Sequence, residues 1–388
     1  MKSRGHALPE KPSAKDIFWG EPMETRRTGR LPWGLAALIA AAICALSVLG
    51  AYLIRQAFGA PGYGAATAVT LTGNQGVQVA GDGFIYYNGS TLASVSSKGA
   101  QEWSYSVGAN ASFSASDSGV AVWTDKRLVV IDREDADTIY TGQMEESILS
   151  ARTGAVYTAV LLAPEHDSTI VLLQNGGREV DRLTFADQTV LDYGFFSGDS
   201  LFWVMTLDTS GTVPTTAISN YRPGRMMVGS ITDAQQLMYQ VMFQSSQVVC
   251  AGTTHLKVYD YTGREDESRR TLIYGWYLAA VEAGVDDPMM AFVPGAQYGT
   301  GGELRDVRMM RANVDEIVRM PFACATLVAK GDRVYGFSTD GHVMVARTGA
   351  QKVDAYLLEV PAGQIYGVTD DRVAVMGTGN TVYLVTLP

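Results

Sequence analysis

Residues 81–106 read GDGFIYYNGSTLASVSSKGAQEWSYS. Gly81-Asp82-Gly83 is a turn, and the β-rich run Phe84-Ile85-Tyr86-Tyr87 follows it. Asn88-Gly89 is a strong hairpin signal, because tight hairpin turns need positive φ at their central residues. Thr91-Leu92-Ala93-Ser94-Val95 is the next run, Ser97-Lys98-Gly99 the next turn, and Glu102-Trp103-Ser104-Tyr105 a third strand. Strand, turn, strand, turn, strand with hairpin-length loops specifies an antiparallel meander.

The unit recurs with drift. Asp117-Ser118-Gly119 precedes Val120-Ala121-Val122-Trp123, and Arg127 to Asp132 is the strand after it. Val248-Val249-Cys250 leads to Leu256-Lys257-Val258-Tyr259-Asp260 and the turn Tyr261-Thr262-Gly263-Arg264. Gly331-Asp332-Arg333 opens Val334-Tyr335-Gly336-Phe337, and Asp370-Asp371-Arg372 opens Val373-Ala374-Val375-Met376. The last two openings are 39 residues apart, close to the period of about 40–45 residues in propeller blades.

From 67 to 388 no long amphipathic helix pattern occurs, so the expected class is all-β. Roughly 320 residues at about 40 per blade predict a β-propeller of eight four-stranded blades. Seven is the alternative, because residues 205–235 and 283–303 are irregular. Blade starts are expected near Asn74, Ser112, Ile148, Thr189, Gln236, Tyr277, Ala323 and Gly363. The eighth blade runs out of chain after Tyr383–Leu387, one strand short. Ala66 to Leu71 (ATAVTL) is a spare strand at the other end. Pairing it as the outer strand of the last blade closes the ring and covers both edges.

Upstream, Leu31 to Ile54 (LPWGLAALIAAAICALSVLGAYLI) is 24 residues without a charge. At about 1.5 Å per helical residue it reaches across a hydrocarbon core of about 30 Å. Residues 31–54 are therefore expected to form a single transmembrane helix. A cleaved signal peptide is the competing reading, but its apolar core would be about 7–15 residues long. Residues 1–30 carry seven basic and four acidic residues, a net charge of +3, with Arg26, Arg27 and Arg30 beside the span. On the far side only Arg55 is close, and the next basic residue is Lys98. Basic residues collect on the cytoplasmic side, which places the N-terminus inside and residues 67–388 outside. The Pro- and Gly-broken tail, 1–30, reads as disordered, with Ile17-Phe18-Trp19 its one apolar cluster. Residues 55–66 are a Gly/Ala linker.

Motifs that carry chemistry are sparse. Cys44 lies in the span, while Cys250 and Cys324 fall in strands of different blades, which argues against a disulfide. His6, His166, His255 and His342 share no metal-ligand spacing. No phosphate loop and no G-x-S-x-G elbow occurs. Gly299-Thr300-Gly301-Gly302 lacks the Lys of a phosphate loop. The run Asp132 to Asp137 lacks the Gly and terminal Glu of a calcium loop, and reads as a solvated hairpin. Asp286-Asp287 and Asp370-Asp371 read the same way. No catalytic, cofactor-binding or metal-binding residue is nominated. Of the 19 tyrosines, Tyr86, Tyr87, Tyr105, Tyr259, Tyr261 and Tyr274 among them, most are read as structural and some as candidates to line a binding face.

Removing the tail and Arg55 from the chain's net charge of −10 leaves −14 for residues 56–388. Such a surface disfavours nucleic acid and anionic polymers and tolerates cationic peptides or divalent ions.

Gly99-Ala100-Gln101-Glu102-Trp103, after the strand Thr91–Val95, resembles the repeat of PQQ-like β-propellers, in which a Gly turn precedes a Trp on the outer strand. Thr262-Gly263-Arg264 and Thr348-Gly349-Ala350 resemble the same turn without its Trp. The layout of basic tail, one span, Gly linker and degenerate WD40-like or PQQ-like propeller resembles an uncharacterised family of single-pass membrane proteins of Gram-positive bacteria. The resemblance implies a cell-membrane protein with an extracytoplasmic propeller, and implies no activity. The expected function is a non-enzymatic scaffold or sensor at the cell envelope, with a protein or peptide partner and no cofactor. The alternative is a small-ligand or enzymatic propeller, similar to quinone-dependent dehydrogenases, with its site in the central channel. The packed Trp floor, calcium carboxylates and catalytic Asp that this resemblance implies are not located in the chain.

Overall fold

The computed structural model describes residues 62–388, except 164–166, 197, 245, 283, 299–303, 351 and 362. The tail, the apolar run 31–54 and most of the linker lie outside the described residues. Among the described residues no helix is long and apolar enough to cross a membrane.

Eight antiparallel four-stranded sheets follow one another along the chain, each a blade. The innermost strands are Gly76–Ala80, Ser112–Ala115, Ile148–Thr153, Gln188–Phe196, Met238–Gln244, Trp276–Val281, Thr326–Lys330 and Gln364–Val368. Every expected blade start lies within three residues of one of these. The irregular stretches hold ordinary strands, Thr215–Tyr221, Met227–Thr232 and Met290–Pro294, separated by longer turns.

The eighth blade takes its outermost strand from the start of the domain. Ala66–Thr70 pairs antiparallel with Thr381–Thr386, from Ala66 opposite Val385 to Thr70 opposite Thr381. The spare strand is thus the missing one, and the ring is closed.

Eight apolar clusters hold the ring, and each joins two consecutive blades. Ile85, Leu92 and Trp103 of blade 1 pack against Phe113, Val122 and Ile131 of blade 2. Tyr335 and Val345 of blade 7 pack against Met376 and Val385 of blade 8. Phe84 and Val95 of blade 1 pack against Val375 and Leu384 of blade 8. In the second strand of blade 5, Val248 and Cys250 face blade 4 while Val249 and Ala251 face blade 6. Side chains alternate across a strand, so a sheet covered on both faces needs an unbroken apolar run. That is why middle strands read VAVWT and QVVCAG rather than apolar-polar-apolar.

Turn chemistry also follows from the sequence. Gly81 has φ 57°, and a Cβ there would fall 2.3 Å from the Arg133 guanidinium of the next blade. Trp103 is buried, and its indole N–H donates to the Arg133 carbonyl at 2.8 Å. The tryptophan of the repeat is therefore a pin between blades.

Strand alternation defines two faces. Turns joining first to second and third to fourth strands share one face with both ends of the described chain; this is the termini face. Turns joining second to third strands share the other with the blade-to-blade links; this is the crossover face. Each innermost strand begins on the crossover face.

Candidate interaction surface

Several innermost strands carry a bulge, which in blades 3, 4 and 5 lies close to the crossover face. Register shifts fall between Ile148 and Ser150, Val190 and Asp192, Met238 and Gln240, and Leu278 and Ala280. A bulge inserts one unpaired residue and re-aims its side chain. In blades 3, 4 and 5 the inserted residues are Leu149, Leu191 and Tyr239, which are 54%, 46% and 39% exposed. In blade 6, Tyr277 stands two residues before the inserted Ala279 and is 52% exposed. Four consecutive blades thus present a large apolar or aromatic side chain around one mouth of the channel. Blade 8 has a bulge too, between Ile365 and Gly367. Its Tyr366 is half-buried, and the hydroxyl accepts from Asn74 Nδ2 at 2.9 Å.

The arc opens into a cleft between blades 5 and 6. It measures ≈ 320 Å³ and is lined by Tyr239, Thr253, Trp276, Tyr277 and Leu278. Burial pushes the Tyr239 phenol above its usual value, against a backbone hydrogen bond with Leu278 of the next blade. The Arg308 guanidinium lies 5.9 Å from the centre of the Trp276 ring. Asp315 fixes it through two bonds of 2.7 Å. A third bond runs to the Leu272 carbonyl at 3.0 Å. Tyr274, on the link between the two blades, is 74% exposed.

Next to the arc, the crossover-face turns and links of blades 2–4 carry Asp125, Glu145, Glu146, Asp167, Asp187 and Asp208. Lys126 interrupts them and donates to the Glu145 carbonyl at 2.7 Å. Hydrogen bonds from the Ser210 hydroxyl and N–H hold the Asp208 carboxyl below the usual carboxylate range. The face combines an apolar arc with an acidic flank.

The residues singled out from sequence stay apart. His255 lies 3.0 Å from the Thr254 hydroxyl. His342 lies 3.2 Å from Asp340 and stacks on Phe322 with ring centres 4.1 Å apart. His6, His166, Cys44 and Gly299–Gly302 lie outside the described residues. Cys250 and Cys324 are buried free thiols; burial pushes both up, Cys324 to about 12. The Asp132–Asp137 turn bonds to itself, Asp132 accepting from Glu134 N–H and Asp135 from Asp137 N–H. Among the described residues no three His, Cys, Asp or Glu side chains converge as a metal site would require.

Two acidic pairs depart from the solvated-loop expectation. Asp287 accepts from Gln244 of blade 5 at 3.1 Å and from Arg311 of its own blade at 3.0 Å. Asp370 of blade 8 pairs at 2.7 Å with Lys330 of blade 7, which also pairs at 2.9 Å with Glu282 of blade 6. Asp371 accepts from Ser97 of blade 1 at 3.1 Å. These carboxylates clasp blades together on the termini face, because turns of neighbouring blades meet there. Of the tyrosines, Tyr86, Tyr87 and Tyr259 are core residues, whereas Tyr274 flanks the cleft.

No family model and no curated protein matches the sequence. Among solved structures the chain is similar to BamB from Moraxella catarrhalis, at 13% identity over 83% of this chain and 98% of that one, TM-score 0.50. It is similar to Sqt1 from Saccharomyces cerevisiae, at 10% identity over 84% and 100%, TM-score 0.55. The WD40 domain of SCAP from fission yeast matches at 9% identity over 82% and 96%, TM-score 0.54. The likeness is one of fold, a WD40-like or PQQ-like β-propeller.

Proposed function

We propose that this protein is a membrane-tethered, extracytoplasmic scaffold or sensor of the bacterial cell envelope. Its crossover face binds an extended, cationic segment of an envelope protein that carries apolar side chains. The observation that carries this reading is the arc of Leu149, Leu191, Tyr239 and Tyr277, exposed on four consecutive blades beside an acidic flank. Exposed apolar surface rimmed by polar residues marks interaction sites. Aromatic side chains in pockets supply much of the energy at such sites, and complementary charge supplies specificity and association rate. The uncharged run 31–54 supports the tether, and the basic residues before it support an N-terminus inside.

The test is site-specific photo-crosslinking of the full-length protein in its native membrane. A photo-reactive residue at Tyr277 should give one stoichiometric adduct, and the same residue at Asp117, on the termini face, should give none. Equal labelling from both positions, or no adduct from Tyr277, refutes the docking face. The mass of the purified membrane protein tests the tether separately. Retention of residues 1–30 is expected, and an N-terminus near Ala60 refutes an uncleaved anchor.

A further inference from the structure

The seam between blades 5 and 6 holds a second pocket, on the termini face, of ≈ 330 Å³. It exists because blade 5 is incomplete at its outer edge. The outermost strand there is two residues, Thr271–Leu272, beside a six-residue neighbour, His255–Asp260. A loop from Tyr261 to Arg270 takes the place of the missing strand, and its 3₁₀ turn, Glu267–Arg269, is capped by the Asp266 side chain. Val249, Val258, Met290 and Met310 of the seam lie buried beneath this pocket, and Gln244, Ser268, Arg269, Thr271 and Arg311 form its rim.

The charge at the rim is unbalanced. Arg269 donates to the side-chain oxygens of Gln244 and Gln247, two neutral amides. Among the described residues no carboxylate pairs with it. Across the pocket Arg311 donates to the Asp287 carboxylate at 3.0 Å and to its carbonyl at 2.8 Å. Asp287 also accepts from Gln244 at 3.1 Å. Asp315 is closed onto Arg308 at 2.7 Å. Both carboxylates are thereby matched to a guanidinium, and Arg269 remains as one uncompensated, half-buried positive charge held in a fixed orientation. This occurs in a domain whose net charge is −14 (residues 56–388). A guanidinium is a planar fork that fits a carboxylate; an anion would take the place of the glutamine oxygens on its two terminal nitrogens, in a cleft whose rim is polar over a buried apolar floor.

We infer that this pocket binds a small monoanionic carboxylate with an apolar tail, the head on Arg269 and the tail over Met290 and Met310. The site lies on the opposite face from the arc and does not rest on the crossover-face reading, although Asp315 at its rim holds the Arg308 that reaches Trp276 of the other cleft.

The test is isothermal titration of the full-length protein in nanodiscs with 3-phenylpropanoate and with the neutral 3-phenylpropanol. Empty nanodiscs give the partition blank. The acid should bind at least about 10-fold tighter than the alcohol, the scale of one charge-assisted hydrogen-bonded contact. In Arg269→Gln the two should bind alike, and in Arg269→Lys the preference should be partial, because charge remains without the fork. Equal binding of acid and alcohol to the wild type, no binding of either, or an undiminished preference in Arg269→Gln overturns the proposal. The wild-type comparison requires no variant to fold. The Tyr277 adduct should persist in Arg269→Gln, so the two readings fail separately.

Discussion

Lys257 and Asp233 are 5% and 4% exposed at their side chains and 2.6 Å apart, joining blade 5 to blade 4. Burial alone would raise the Asp233 carboxyl, yet hydrogen bonds from Lys257 and from the Gln235 N–H hold it below its usual value. Removing one partner leaves a buried charge unpaired, which costs about 3–5 kcal/mol. Lys257→Ala should lower the melting temperature sharply, and Lys257→Met with Asp233→Leu should recover most of the loss. Because the folded value is depressed, the contribution of Asp233 is present above its unfolded value of about 3.9 and is lost as pH falls through the folded value. Melting curves of wild type and Asp233→Asn should therefore converge as pH drops below about 4. Such pairings were not legible in the sequence. Asp233 and Lys257 sit in a link and a strand of ordinary appearance, and Asp287 and Asp370 look like loop carboxylates until the ring brings neighbouring turns together.

Strand ends and turns are more plainly written in the residues. Asn88-Gly89, Gly81 and the Gly99 turn state where strands end, because a left-handed backbone has few residue types to serve it. The spare strand was legible as well, by counting strands against blades. The bulges were not. Ile148-Leu149 and Val190-Leu191 are adjacent apolar residues, and adjacent apolar residues are what a core strand carries in this fold. The inserted residue that turns Leu149 and Leu191 toward the channel mouth is visible only in the pairing register. The closing strand yields its own prediction. Deleting Ala66–Leu71 exposes the edge Thr381–Thr386 and removes Val69 and Leu71 from the seam of blades 8 and 1. The melting temperature should fall by several degrees, and protease nicks should appear first in blade 8. An unchanged melting temperature and digestion pattern would refute closure at this seam.

For the molecule as a whole, stability resides between blades. Each of the eight clusters spans two of them, so no blade has a core of its own. Open repeat arrays lose cooperativity as terminal units fray, and a ring has no terminal unit. Denaturant unfolding of residues 62–388, followed by near- and far-ultraviolet circular dichroism in the full-length protein, should give coincident single transitions. Separated transitions would mean that some seams open independently. The same arrangement explains why the function is harder to read than the fold. The repeat states which residues hold the ring, while the exposed arc and the Arg269 pocket are built from residues that the repeat does not mark.

The pairing of Thr70 with Thr381 also sets a clock. The strand Ala66–Thr70 waits for a partner made 311 residues later. At about 5–20 residues per second that wait is about 15–60 s. Throughout it the strand has no native neighbour, and a chain truncated before Thr381 never acquires one. Synthesis of Thr381–Thr386 is thereby what locks the ring, and copies that stop short of it are left with a loose end for proteases to find.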